Sequence, residues 1–336
     1  MDSFINNKKF QNFITPVIII LLLILTLPYI FTQYSIIDFT NTGNIGDTIG
    51  GILGPFIAIV AAILTFLAFY IQFEANEQQK HDLKIERFEN KFYELLRLHK
   101  DNVNELSLSE NINSRKTFVH LNDELRTCYK VCEFCYDENY KKYNIDLLKF
   151  SYNIFYYGIG SISDKYLFKI FNDNEKLFYE KVKTHLILFQ KKYNHLSTVH
   201  PQPSSKIYVY QEKPNYISLN LLYSPFNGHT SRLGHYFRHL YQISKFVLND
   251  NSKLEFDDSQ KYEYLKTLRS QLSDHEQLLM YYNSLAFYES EWKVLFTKYR
   301  LIKNIPIPLA DFGKSPEKYF SEEIKNNPDT KIFSWQ

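Results

Sequence analysis

Cysteine, glycine and proline are all scarce in this chain, and each scarcity excludes something. Three cysteines in 336 residues (Cys128, Cys132 and Cys135) cannot build a disulfide framework. No proline falls between Pro55 and Pro201, and no glycine between Gly54 and Gly158. A stretch with so few chain breakers is most simply helical. A strong charge of either sign is missing too: 39 Lys and Arg face 37 Asp and Glu, for a formal net charge of +2. The chain as a whole is therefore not built to seek a polyanion such as nucleic acid. No G-x-x-x-x-G-K-[ST], G-x-G-x-x-G or G-x-S-x-G pattern occurs, which removes the common nucleotide-binding and serine-hydrolase routes. Aromatic residues are plentiful instead, with 27 Tyr and 28 Phe, and that argues against disorder.

Hydrophobicity is distributed unevenly. No charged residue occurs from Phe10 to Ile37, and Val17 to Leu25 is wholly apolar. No small-residue cleavage site follows, so this reads as a retained anchor and not a secretory signal. A second uncharged run covers Thr48 to Phe73. A spanning helix needs about 20 such residues, so two spans are expected, at about 13–32 and 50–73. Lys8 and Lys9 precede the first; Lys80, Lys84 and Arg87 follow the second; the loop between them carries Asp38 and Asp47 and no Lys or Arg. The positive-inside rule then places both termini in the cytoplasm, with the loop outside. Composition therefore describes a membrane anchor with a soluble body, and not a free cytosolic enzyme.

Gly46, Gly50, Gly54, Ala58 and Ala62 recur every four residues, a small-residue stripe that lets another helix approach closely. It would serve either self-association or, by a slight preference, packing against the first span. Pro55 fits best in a first helical turn. A helix starting there would leave Gly46 to Gly54 as a flexible entry or a re-entrant loop.

Beyond the anchor (1–75), the second span runs on as an amphipathic stalk (76–108) with Ile85, Phe88, Phe92, Leu95, His99 and Val103 at helical spacing. The rest (109–336) reads as one all-α domain. Helical patterns fall at about 115–137, 144–157, 164–171, 175–194, 230–248, 258–272, 273–288 and 291–303. Ser273 and Glu276 have capping-box spacing, and Ser315-Pro316-Glu317 marks a further helix start. Residues 195–228 break the pattern with four prolines and the alternating run Lys206 to Tyr210. They form an insertion with a long loop and a small β element, a lid or partner-binding loop if not a plain surface excursion.

Chemistry concentrates in Gly228 to His239, with His229, His235 and His239 beside Arg232 and Arg238. Two His at i, i+4 can ligate zinc, but no H-E-x-x-H signature or nearby third ligand accompanies them. Arg232 and His239 also have a loose R-x6-H spacing that resembles the motif of HEPN-type RNases. There a His would handle the proton and an Arg would steady a phosphate. The simpler reading makes them buried hydrogen-bonded pairs between tyrosine-rich helices. Glu276 has the chemistry of a general base, yet its capping position already explains it; Arg269 and Arg238 are its candidate partners across helices. Cys128, Cys132 and Cys135 share a helical face and read as core thiols. No metal or cofactor is expected.

Several segments together carry a likeness. GDTIGGILGPF enters the second span and YIQFEANEQ leaves it; the body then shows FENKFYELLRLHKDNV, RLGHYFRHLYQISKFV and LRSQLSDHEQLLMYYNSL. Over about 45–300 this resembles the phage abortive infection family of AbiC-like membrane proteins, and it is similar to two-span effectors of retron defence systems. The family-like positions are Leu233, Gly234, Tyr236, Phe237, Arg238, Arg269, Gln271, Leu272, Glu276 and Asn283. The resemblance maps no catalytic residue and leaves out 195–228. It implies an antiphage effector that stops the infected cell after a phage cue acts on the body. The expected partners are the lipid bilayer, further copies of the chain, and a phage-sensing protein or retron-type complex. A tethered HEPN-like RNase, or a sensor or scaffold that recruits a separate toxin, are the alternatives.

Overall fold

The computed structural model describes residues 43–199, 207–212, 215–220, 223–249, 254–326 and 331–334, with isolated positions between 15 and 30. The expected first span lies largely outside the described residues; those between Thr15 and Ile30 that are described are helical. The chain divides into two compact units, Met1–His81 and Asp82–Gln336.

Helix α1 runs unbroken over Gly43–Glu105, 63 residues. It begins well before Pro55, so Gly46 to Gly54 are helical and neither a re-entrant loop nor a flexible entry. Pro55 sits inside the helix, where it removes the hydrogen bond to the carbonyl four residues back. Within the first unit α1 is the one described helix long and apolar enough to cross a membrane. Its most apolar 18-residue window has mean hydropathy 2.6, and none of that window is buried. Ile52, Phe56, Ile59, Ile63 and Phe66 all stand exposed, a larger apolar surface than a soluble monomer leaves open. Apart from the neighbouring backbone of α1 itself, no described atom lies within 4 Å of where a Cβ would stand on Gly46, Gly50 or Gly54.

The second unit is all-α apart from two small hairpins. From Phe88 onward α1 supplies one wall of its core, through Phe88, Phe92, His99 and Val103, all buried. A short ribbon follows, β1 (Ser107–Ser109) with β2 (Ile112–Asn113). The organising element is α2 (Lys116–Cys135). It packs against α4 (Leu147–Tyr157), α6 (Asp173–Val199) and α9 (Asp274–Ala286). Its buried residues Leu121, Leu125, Cys128, Val131, Cys132 and Cys135 recur at spacings of three and four, as an inward helical face requires. α3 (Glu138–Lys141) and α5 (Ser161–Ile170) flank this group.

Local chemistry sets the boundaries. Asp146 caps α4 by accepting from the N–H groups of Leu148 and Lys149. α7 (Thr230–Leu248) matches the expected helix. α8 (Asp258–Ser270) opens with a capping box between Asp257 and Gln260, and α9 with the expected one between Ser273 and Glu276. α9 is buried on all sides from Glu276 to Ser284, the signature of a core helix. α10 (Glu289–Thr297), a 3-10 turn (Ile307–Leu309), α11 (Pro316–Tyr319, capped by Ser315) and α12 (Ser321–Asn326) close the unit.

The insertion begins later than 195, because α6 continues to Val199. Its β element is an antiparallel hairpin, β3 (Ile207–Glu212) with β4 (Asn215–Asn220), in register from Ile207↔Asn220 to Glu212↔Asn215. β4 lies beside α2 and β3 beside α6.

Candidate functional site

α7 carries five of the ten family-like positions, and three settings lie along it.

The first is a buried carboxylate at the start of α7. Glu124, on the apolar face of α2, is fully buried. Its Oε1 accepts the backbone N–H of Phe226 at 2.6 Å. Its Oε2 accepts the Tyr223 hydroxyl and lies 3.1 Å from His229 Nε2. A carboxylate only accepts here, so Nε2 carries the imidazole proton; Nδ1 is buried with no partner. Burial, and then the Glu124 charge, push the Tyr223 hydroxyl well above its ordinary pKa, which keeps it a donor. One carboxylate thus ties the end of the insertion and the N-cap of α7 to α2. Backbone approach locks the same corner. Gly158, at φ +85, ends α4, and Gly228, at φ +81, precedes α7. A Cβ on Gly228 would lie 2.5 Å from the Tyr157 carbonyl oxygen, and one on Gly158 would lie 2.6 Å from the Asn227 carbonyl carbon.

The second setting is Glu276, also fully buried. Its Oε2 accepts from the Ser273 N–H and hydroxyl at 2.7 and 2.6 Å, and its Oε1 accepts the Tyr236 hydroxyl at 3.0 Å. Burial and the Glu276 charge hold Tyr236 protonated. The cation beside Glu276 is Arg115, at 3.8 Å, and not the expected Arg269 or Arg238. Arg269 instead donates to the Arg300 carbonyl at 2.8 Å. Gln271 offers its carbonyl to Arg115 at 2.8 Å. Leu233 and Leu272 are core residues. A carboxylate saturated by a cap and a tyrosine serves as a structural anchor; as a general base it would have to give up one of these bonds.

The third setting is an open cleft of about 410 Å³ where α7, α9 and α10 meet. Aromatic walls come from Tyr156, Phe237, Tyr241, Phe287 and Trp292, and polar groups from Arg238, Asn283 and Glu291. Four family-like positions, Gly234, Phe237, Arg238 and Asn283, meet here. Asn283 Nδ2 donates to the Tyr152 hydroxyl at 2.8 Å, which fixes the amide at the cleft floor. A Cβ on Gly234 would stand 2.7 Å from the Tyr156 hydroxyl, so the glycine lets that ring lie close. Apolar walls with a few convergent polar groups are what a ligand site needs. Arg238 and Glu291 give it one group of each charge.

The Arg232 and His239 pair is divided by its hydrogen bonds. Arg232 Nε donates to the Ser107 carbonyl at 2.8 Å. His239 Nε2 donates to the Leu95 carbonyl at 3.1 Å, since a carbonyl only accepts. The histidine that shares a small cleft with Arg232 is His235, beside Tyr236. The three cysteines are buried and form no disulfide, and burial pushes the Cys132 thiol well up. Among the described residues no group of three or more His, Cys, Asp or Glu is placed to hold a metal ion.

Sequence reasoning missed Glu124, Tyr223 and Arg115. The signal for Glu124 was present: it falls on the stripe of Leu121, Leu125 and Cys128, where a carboxylate must find buried donors. Nothing in the sequence pairs it with residues about a hundred positions away.

Compared with known proteins, residues 228–309 match the family described as "Putative phage abortive infection protein". This stretch, narrower than the 45–300 of the resemblance, holds α7 to α10 and all ten family-like positions. No curated protein and no solved structure matches the chain.

Proposed function

We propose that this chain is a membrane-anchored effector of antiphage defence, of the abortive infection type. The observation that carries this reading is a coincidence in one chain. A body that contains a segment similar to the abortive infection family takes its first wall from a helix that also bears an exposed, membrane-length apolar surface. In the resting cell two spans hold the chain in the inner membrane with both termini in the cytoplasm. A phage cue, or a protein that senses one, acts on the body at the aromatic cleft around Arg238. The change reaches the membrane through α1, and copies of the chain associate along Gly46, Gly50, Gly54, Ala58 and Ala62. A switch of this kind needs contacts that differ between two states. The apolar spans hold few polar groups to line a channel, so permeabilisation comes from an assembly and not from one copy.

The nuclease reading draws less support, because Arg232 and His239 are each held by a different backbone carbonyl. The test is membrane potential in phage-infected cells, with wild type beside Gly54→Glu and His239→Ala at matched expression. Collapse before lysis that Gly54→Glu abolishes and His239→Ala spares supports the membrane effector. A steady potential with growth arrest that only His239→Ala relieves overturns it in favour of a tethered enzyme. Arrest that needs a neighbouring gene product points to a scaffold.

A further inference from the structure

A second cleft, of about 490 Å³, opens where α1 meets the start of α2. His99, Lys100, Asn113, Arg115, Lys116 and Gln271 line it. Three of these are cations. Lys100 and Lys116 are exposed and make no ion pair among the described residues. Arg115 has one carboxylate near it, Glu276 at 3.8 Å, which already accepts from Tyr236 and Ser273. α2 begins at Lys116 with no side chain capping it. The Thr117 and Phe118 N–H groups already donate to the Ser114 and Arg115 carbonyls, so the 20-residue helix adds to the three cations through the positive end of its dipole.

His99 is the independent observation. It is 1% exposed, it lines the cleft, and neither ring nitrogen has a hydrogen-bond partner. Buried polar atoms in native proteins are nearly always paired. The groups around it offer nothing to either nitrogen: the His239 ring is stacked at 6.1 Å and the Tyr236 ring tilted at 5.2 Å, with its hydroxyl given to Glu276. Arg115 is a donor only. An imidazole in cationic surroundings with a free N–H is matched by an acceptor that brings negative charge.

We propose that this cleft binds a small phosphorylated molecule, its phosphate monoester held by Lys100, Lys116 and the His99 N–H beside the positive end of α2. The volume exceeds what one phosphate fills and falls in the range of ordinary small-ligand sites, so the group arrives on a larger body. A soluble mononucleotide and a lipid headgroup share this chemistry, and the experiment separates them. The proposal does not rest on the defence reading, because it is measured on purified protein without phage.

The full-length protein in detergent is titrated by calorimetry with inorganic phosphate and ADP, and in nanodiscs of phosphatidylcholine with or without phosphatidic acid. Lys100→Gln and Lys116→Gln are tested beside wild type; both side chains are exposed and unpaired, so folding is not at stake. Saturable binding of ADP that either substitution weakens tenfold or more assigns a soluble ligand. Binding confined to phosphatidic acid, with the same sensitivity, assigns a headgroup. Carbon-labelled histidine spectra give a second readout: the bound phosphate moves the His99 resonances and raises its titration midpoint from about 4. No binding of any probe at millimolar concentration, or binding indifferent to both substitutions, overturns the proposal.

Discussion

His229, the residue before α7, and Glu124, in the middle of α2, meet 3.1 Å apart with both side chains buried, 105 positions from each other in the chain. The carboxylate also holds Tyr223 and the Phe226 N–H. Glu124→Ala strands two buried donors and an imidazole at once. Such a loss costs about 3–5 kcal/mol, read as a fall in unfolding midpoint for the full-length protein in detergent. Glu124→Gln keeps the volume and some acceptor capacity and should cost less. A double-mutant cycle with His229→Gln should return coupling of roughly 0.5–3 kcal/mol.

Gly228→Ala should be far worse than Gly234→Ala. The first drives a methyl to 2.5 Å from the fixed Tyr157 carbonyl at a φ of +81. Strain at such a φ alone costs about 1–3 kcal/mol, and the clash adds to it. The second meets only the tip of the Tyr156 side chain, which can swing away. It also gains up to about 1 kcal/mol of helix propensity. Thermal unfolding of the two variants should separate them clearly, with Gly234→Ala near wild type.

Arg238 is exposed at the rim of the aromatic cleft, and Trp292 is buried in its wall. Arg238→Ala should leave stability within about 0.5 kcal/mol and yet abolish phage protection if the cleft receives the cue. Trp292→Ala should cost about 3–5 kcal/mol and lower protein level. Plaque counts beside an immunoblot distinguish the two effects.

Burial, with His239 and Arg115 nearby, depresses His99 from its ordinary 6.5 to about 4. The neutral form is the one the fold accepts. Above pH 6.5 the stability is fully present. Between about 6.5 and 4 the unfolded chain takes up a proton that the folded chain refuses, so stability falls as pH falls, by roughly 3 kcal/mol in all. Below 4 this loss levels off. His99→Phe should flatten that part of the stability profile measured by urea unfolding.

What the sequence revealed and what it hid follow from range. The helix over 230–248, the cap at Ser273 and the core thiols all rest on neighbours within a few residues, where spacing is informative. The strand run after Lys206 was visible as alternation, and its pairing with Asn215–Asn220 is local. The start of α1 was not legible: Pro55 argued for a late start, but a helix can absorb a proline when its other bonds hold. Arg115 as the cation beside Glu276 was hidden for another reason. That contact joins residues 161 positions apart, and Arg238 and Arg269 were simply nearer in the chain.

The two glycines at the end of α4 and before α7 have a consequence for how this sequence can drift. Each would strike the other's main chain if it gained a side chain. A clash between side chains can be relieved by shrinking the opposing residue, which is how many core pairs change together. Here the obstacle is peptide backbone, which every amino acid carries. No substitution at the partner position can make room, so neither site can rescue the other. Relatives that keep this corner should show glycine at both positions without covariation. A relative that has lost one of them must have rebuilt the junction itself, by lengthening or shortening the chain between α6 and α7.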